Sequence, residues 1–214
     1  MSHDSRKAIT MTTRLSRLAI AISVFVSVCA ALAPAASAQG AISDTQMLNS
    51  LTKAANAAPR GLSGAIIQQA ALQHMRDNPG LPQTWKPMGV RLNNLAQINV
   101  QIQFALNSAI IRPISYATLG SIADALHHPI LGGYKFVVAG NTDTSGDREE
   151  NMKLSQARAD AVVQALTTSF GVDPARLEAV GLGEEALQDS KNSTNPINRR
   201  VQIINVGKYL PPKQ

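Results

Sequence analysis

Gly140-Asn-Thr-Asp143-Thr-Ser-Gly146-Asp147 runs directly into Arg148-Glu-Glu-Asn151-Met-Lys-Leu154-Ser155-Gln-Ala-Arg158-Ala159, and the reading of this stretch decides the fold. Upstream, Tyr134 to Ala139 is a near-continuous apolar run, which predicts a central strand covered on both faces. Asp147, with Glu150 three residues on, predicts an N-cap and capping box for a helix from about Arg148 to Phe170. Gly171 and Pro174 close that helix. A loop that leaves the C-terminal end of a strand and feeds a helix N-terminus is a common ligand position in α/β sheets.

Along the helix, Asn151, Ser155, Arg158 and Val162 fall on one stripe at offsets 0, 4, 7 and 11. Leu154, Ala159 and Leu166 flank it, so Arg158 is expected to emerge from the middle of the apolar side. An unpaired buried guanidinium is costly and needs an anion. Asp143 supplies one in either of two ways. It forms an internal salt bridge with Arg158, or both groups face a cleft and share a zwitterionic ligand. In the second case Asp143 takes an ammonium and Arg158 takes a carboxylate as a two-pronged fork. Asn151 and Thr142 add neutral donors and acceptors, and the helix N-terminus favours an anion nearby.

Outward from this core the periodicities switch. Ile98, Val100, Ile102 and Phe104 alternate with polar residues and predict a strand. Pro113 and Ser115 open a helix carrying Leu119, Ile122, Ala123 and Leu126, which ends at His127-His128 before Pro129. Leu177 to Val180 and Val201 to Val206 predict two further strands. The result is an α/β (α+β) domain with helices over one face of a mixed sheet. Ahead of it, Ser43 or Asp44 caps one helical pattern (Met47, Leu48, Leu51, Ala54, Ala55), and Ser63 caps a second (Ile66, Ile67, Ala70, Ala71, Met75). Pro82, Trp85 and Pro87 mark an extended linker. Residues 39–92 are too few and too Ala-rich for an independent core, and are expected to pack on the following domain or on a partner.

The chain of 214 residues carries 20 basic and 14 acidic side chains, a net +6 that invites a nucleic-acid reading. Four of those basic residues (Arg6, Lys7, Arg14, Arg17) precede the apolar run Leu18 to Ala33, and Ala36-Ser37-Ala38 follows as a small-x-small cleavage site. Residues 1–38 therefore read as a cleaved secretory signal, with Met1 or Met11 as its start, against the alternative of an uncleaved anchor. Cys29, preceded by Val28, lacks a lipoprotein context and leaves with the leader. Residues 39–214 keep 16 basic and 13 acidic groups, with no basic run beyond Arg199-Arg200 and no interleaved aromatics, so no nucleic-acid partner is expected. No second apolar run reaches membrane length.

Asn151-x-x-Leu154-Ser155-x-x-Arg158-Ala159-x-x-Val162-x-x-x-Leu166 resembles the signature helix of OmpA-like domains, the peptidoglycan-associating modules of the OmpA and Pal type. The resemblance extends to Gly140-x-Thr142-Asp143-x-x-Gly146, Gly181-x-Gly183-Glu184, Asn198-Arg199-Arg200-Val201 and Phe104-x-x-Asn107-Ser108, and covers about residues 97–207. It implies a βαβαββ fold, a location in the periplasm or cell envelope of a Gram-negative-type bacterium, and a pocket for the diaminopimelate side chain of the cell-wall stem peptide. The family's aspartate falls on Asp143 and its arginine on Arg158. Its secondary contacts fall on Asn107, Thr142, Asn151 and one of Arg199 or Arg200. Two positions depart from the family pattern: Asn141 stands where histidine usually precedes Thr-Asp, and Ala105 replaces an acidic residue.

Other motifs carry less. Gly181-Leu-Gly183-Glu-Glu-Ala186 fits a dinucleotide fingerprint, but the 28 residues after it cannot complete a Rossmann unit. His127-His128 has no third ligand at metal spacing, and no nucleophile elbow is present. Neither an enzyme nor a cofactor is expected. The expected function is noncovalent peptidoglycan binding. The alternative is an envelope interaction protein that recruits a partner through residues 39–92; on that division, deleting 39–92 is expected to leave wall binding intact.

Overall fold

The computed structural model describes residues 43–53, 61–80 and 92–209. The leader, the Pro82–Pro87 linker and the tail from residue 210 lie outside the described residues. Two helices come first, α1 (Asp44–Thr52) and α2 (Gly64–Asp77). The order then runs β1 (Gln97–Val100), α3 (Tyr116–His127), β2 (Tyr134–Gly140), α4 (Arg148–Thr168), β3 (Leu177–Gly181) and β4 (Val201–Lys208), the βαβαββ sequence.

The strands form one mixed sheet in the order β1-β4-β2-β3. β4 is antiparallel to both β1 and β2. β2 and β3 are parallel, with Gly140 opposite Gly181, so the chain must cross over between them, and α4 makes that crossing. One face buries Ile98, Val100, Phe136, Val138, Val201 and Ile203 against Leu119, Ile122 and Leu126 of α3 and Val162 and Leu166 of α4. Met47 and Leu51 of α1 join this cluster.

The opposite face bears out the doubly covered strand expected at Tyr134 to Ala139 and departs from the expectation of helices over one face only. Val137, Ala139, Val180, Ile204 and Val206 are covered by Ile67 and Ala71 of α2 and by Leu92. The sheet is therefore covered on both faces, not one, because strands that are apolar on both sides need two layers. α2 lies tight on β3. A Cβ on Gly64 would stand 2.8 Å from Glu178 Oε2 and 2.9 Å from Val180 Cγ2. That space lets Gly64 N donate to Glu178 Oε2 at 2.5 Å.

A buried ion cluster holds the other end of α2. The Glu185 carboxylate receives Arg148 Nε and Nη2, each at 2.6 Å, and lies 2.7 Å from His74 Nδ1 of α2. Arg148 Nη1 also donates to Asn78 O, just past the helix, at 2.7 Å. α1 is tied in by Asn205 Nδ2, which donates to Leu51 O at 3.0 Å. The described N-terminal helices are thus part of the domain's two cores, as their expected packing on the domain requires, and deleting 39–92 to leave wall binding intact would remove part of both.

α4 sits against the sheet through two glycines. A Cβ on Gly140 would meet Ser155 O at 2.2 Å, and one on Gly181 would meet Gln156 N at 2.5 Å. These neighbours are backbone and cannot swing aside. Gly140→Ala is expected to destabilise the domain by at least about 1–3 kcal/mol, as overpacking does. Urea denaturation measures it, and an unchanged midpoint would show that the helix is free to lift.

Candidate functional site

The glycine contacts set where α4 delivers its side chains. Its buried stripe is Asn151, Ser155, Ala159, Val162 and Leu166. Arg158 stands on the margin of that stripe, half-buried, and does not emerge from its middle as the spacing suggested. The reason is that the closest approach of helix to strand falls at Ser155 and Gln156, which turns Arg158 towards β1. There its guanidinium lies 4.9 Å from the centroid of the Phe104 ring, and its Nε donates to Ser108 O at 3.0 Å.

Phe104 and Ser108 belong to a short hairpin beyond β1. Phe104 bridges to Ile111, and Arg112 N donates to Gln103 O at 2.8 Å. Asn107 occupies the turn with φ 47°, a left-handed conformation that asparagine tolerates better than most residues. Its visible contribution is this turn, which places Ser108 O beneath Arg158.

Asp143 is 4% exposed and does not pair with Arg158. Its Oδ2 receives Arg199 Nη1, and its Oδ1 accepts from Ser145 N at 2.9 Å. The internal Asp143–Arg158 salt bridge is therefore not formed. Arg199 is held in place by the loop before it. Asn198, fully buried, accepts from Gln188 N and Asp189 N at 2.9 Å and donates to Asp189 O, Asn192 O and Ser193 O at 3.1–3.2 Å. Arg200 takes no part in the pair. It is 5% exposed, and its Nη2 donates to Ala186 O at 2.8 Å. Burial brings its pKa down to about 10.

A small cleft results, lined by Ile102, Phe104, Gly140, Asn141, Arg158, Arg199, Arg200 and Val201. Asp143 does not line it; it bonds to Arg199, which does. Burial, and after it the charge of Arg199, holds the Arg158 pKa below the usual guanidinium value, with Asp143 opposing. The cleft thus has an excess of positive charge beside an aromatic wall, which suits a carboxylate.

Asn151 and Thr142 are placed inward. Asn151 Nδ2 donates to Asp143 O and Ser145 O at 3.2 Å each and to Glu184 Oε2 at 2.7 Å. It fixes the loop that carries Asp143. Thr142 is 3% exposed, with its backbone N donating to Gly183 O at 2.8 Å. Asn141 follows Ala139 on the α2 side of the sheet. Its amide donates to Ala139 O at 3.3 Å and Gln202 Oε1 at 3.1 Å, and the residue also lines the Arg158 cleft. Sequence reasoning missed the Arg199–Asp143 pair and the organising role of Asn198. The run Asn198-Arg199-Arg200 was the available signal.

Glu184 is buried under this loop, and burial pushes its carboxyl above the usual range, with the Asn151 hydrogen bond opposing. A raised folded-state pKa means that the contribution of Glu184 to stability is full below its unfolded pKa. That contribution is lost as pH rises through the folded value. Glu184→Gln should therefore match wild type at acid pH and become progressively more stable than wild type towards neutrality. Denaturation midpoints measured across that range check the sign. A difference constant with pH would refute it.

The profile of the OmpA family matches residues 103–201. Those residues are an OmpA family domain. The chain is 33% identical over 111 residues to outer membrane porin F of Pseudomonas fluorescens, covering 50% of this chain and 33% of that protein. It is 34% identical over 140 residues to the probable lipoprotein YiaD of Escherichia coli K12, covering 64% of this chain and 60% of that one. The YiaD match is longer than the OmpA domain and so takes in flanking chain. Among solved structures, the peptidoglycan-associated lipoprotein from Burkholderia pseudomallei is 33% identical, covering 50% of this chain and 88% of that one, with a TM-score of 0.40. The chain thus spans between a third and three fifths of the length of these two curated relatives. Among the described residues, no helix is long and apolar enough to cross a membrane.

Proposed function

We propose that the OmpA domain binds peptidoglycan noncovalently in the envelope, through the diaminopimelate residue of the stem peptide. The observation that carries this reading is Arg158. It is half-buried on Phe104, bonded to a backbone carbonyl and, among the described residues, in no salt bridge. Diaminopimelate presents an ammonium and a carboxylate on one carbon. The carboxylate goes to Arg158, with Arg199 beside it, and the ammonium goes to Asp143. Because Arg199 already holds Asp143, the ligand's ammonium shares that carboxylate, while Arg199 stays close enough to touch the incoming carboxylate. Asn151, Thr142 and Asn107 act as positioning residues, and Arg200 supports the chain behind the cleft. The names of relatives support the same reading, since a peptidoglycan-associated lipoprotein of Pseudomonas putida is 37% identical over 102 residues.

The test is co-sedimentation with purified sacculi, wild type beside Asp143→Ala and Arg158→Ala. Wild type is expected in the pellet and both variants in the supernatant. Equal pelleting of all three would overturn the assignment of this cleft. Recruitment of a partner by α1 and α2 gains no support from the structure, because Met47, Leu51, Ile67 and Ala71 are buried within the domain.

A further inference from the structure

β1 ends the sheet order, so its outer edge is unpaired among the described residues. A groove of about 440 Å³ runs there, between the end of α1 (Ser50, Lys53) and the stretch from Asn93 to Asn99, with Gln188 at one side. Its size is in the range of small-ligand sites. Its chemistry is unusual for a surface groove. Among the described residues, carboxamides dominate the lining, one lysine adds positive charge, and no carboxylate lines it.

Two of those amides are oriented from behind. Asn93 Oδ1 accepts from Gln97 Nε2 at 3.3 Å, and Asn99 Oδ1 accepts from Arg200 Nε at 3.4 Å. Gln97 is itself fixed, accepting from the buried Gln202 at 2.8 Å and donating to Leu92 O at 2.9 Å. Asn93 and Asn99 are exposed, and with their oxygens engaged their NH2 groups are the side-chain donors they offer a ligand. Lys53 adds an ammonium. Preset donors without a carboxylate select a ligand rich in hydroxyl, acetamido-carbonyl and carboxylate oxygens, and disfavour a cation.

The position matters as much as the chemistry. From Asn99 the chain leaves the end of β1 at Val100 and reaches Ile102 and Phe104, which wall the Arg158 cleft. Three extended residues cover roughly 10 Å. A stem peptide of about three residues, drawn out, spans a similar length. We propose that this groove is a second subsite that binds the acetamido-sugar backbone of the wall polymer whose peptide enters the Arg158 cleft. The inference rests on the wall-binding reading above.

The experiment titrates the whole chain with three soluble probes: an N-acetylglucosamine–N-acetylmuramic acid disaccharide, a free stem tripeptide ending in diaminopimelate, and the two joined. The joined probe should bind wild type about tenfold more tightly than the peptide, the scale of two neutral hydrogen bonds. Asn93→Ala/Asn99→Ala, both at exposed positions, should lose that gain and keep peptide affinity unchanged. In the wild-type chain, the disaccharide alone should shift the side-chain amide resonances of Asn93 and Asn99, a readout that needs no variant to fold. Equal affinity for peptide and joined probe, a gain that survives in the double variant, or resonances that stay still would each overturn the subsite. Arg158→Ala separates the two claims. If it keeps full peptide affinity, the Arg158 reading fails. If it loses the peptide while the disaccharide still shifts Asn93 and Asn99, both stand.

Discussion

Arg158→Ala is expected to remove sacculus binding while leaving the fold standing. Truncating one partner of a buried, hydrogen-bonded charge contact costs about 2–5 kcal/mol of binding, or roughly 30-fold to several thousandfold. The same change should affect stability little, because Arg158 is held at some cost without ligand. It is partly desolvated and repelled by Arg199, and only Asp143 favours its charge. Its gains in the free domain are the Phe104 face and one bond to Ser108 O. Arg158→Lys should fail nearly as fully, since an ammonium keeps the charge but loses the planar fork and the stacking. Thermal melting beside sedimentation gives the decisive pair of numbers. A variant that loses binding only because it unfolds would show Arg158 to be structural.

The largest expected effect on stability belongs to Glu185→Ala. Its carboxylate has no solvent exposure and stands between Arg148 of α4 and His74 of α2. Removing it takes two charge-assisted bonds from a guanidinium that is itself only 19% exposed, and breaking a buried pair in this way typically costs about 3–5 kcal/mol. The loss should appear first as release of α2, exposing Val137, Val180 and Ile204. Amide hydrogen exchange across 64–77 and 134–140 would report it, with both segments losing protection together. Protection that falls in α2 alone would mean that the sheet does not need its second cover. For the same reason, a chain lacking 39–92 is expected to aggregate before it tests any partner.

The fold was largely legible because its punctuation is local. Ser43, Ser63 and Asp147 cap α1, α2 and α4 as their spacing predicts, and the strands fall where apolar runs or alternation place them, except that β1 stops at Val100 and leaves only an isolated bridge at Phe104. One part of the α4 reading failed: Glu150 binds Lys153 Nζ at 2.7 Å instead of completing a capping box. What stayed hidden depends on contacts far apart in sequence. No periodicity reports that Asp143 meets Arg199, 56 residues on, or that α2 covers the far face of the sheet. Asn151 was legible as important and misleading as to how, since a polar residue on a buried stripe can face a ligand or its own loop. Only the three oxygens around its amide decide between them.

The two glycines beneath α4 have a mechanical consequence. With Ser155 O and Gln156 N resting on the backbone at Gly140 and Gly181, the helix has no side-chain cushion that could compress or slide. A pull on a ligand held at Arg158 would pass into α4 and then into both parallel strands at once. A domain that anchors to a stretched polymer would then answer tension as a stiff bracket, and the ligand would leave before the bracket bends.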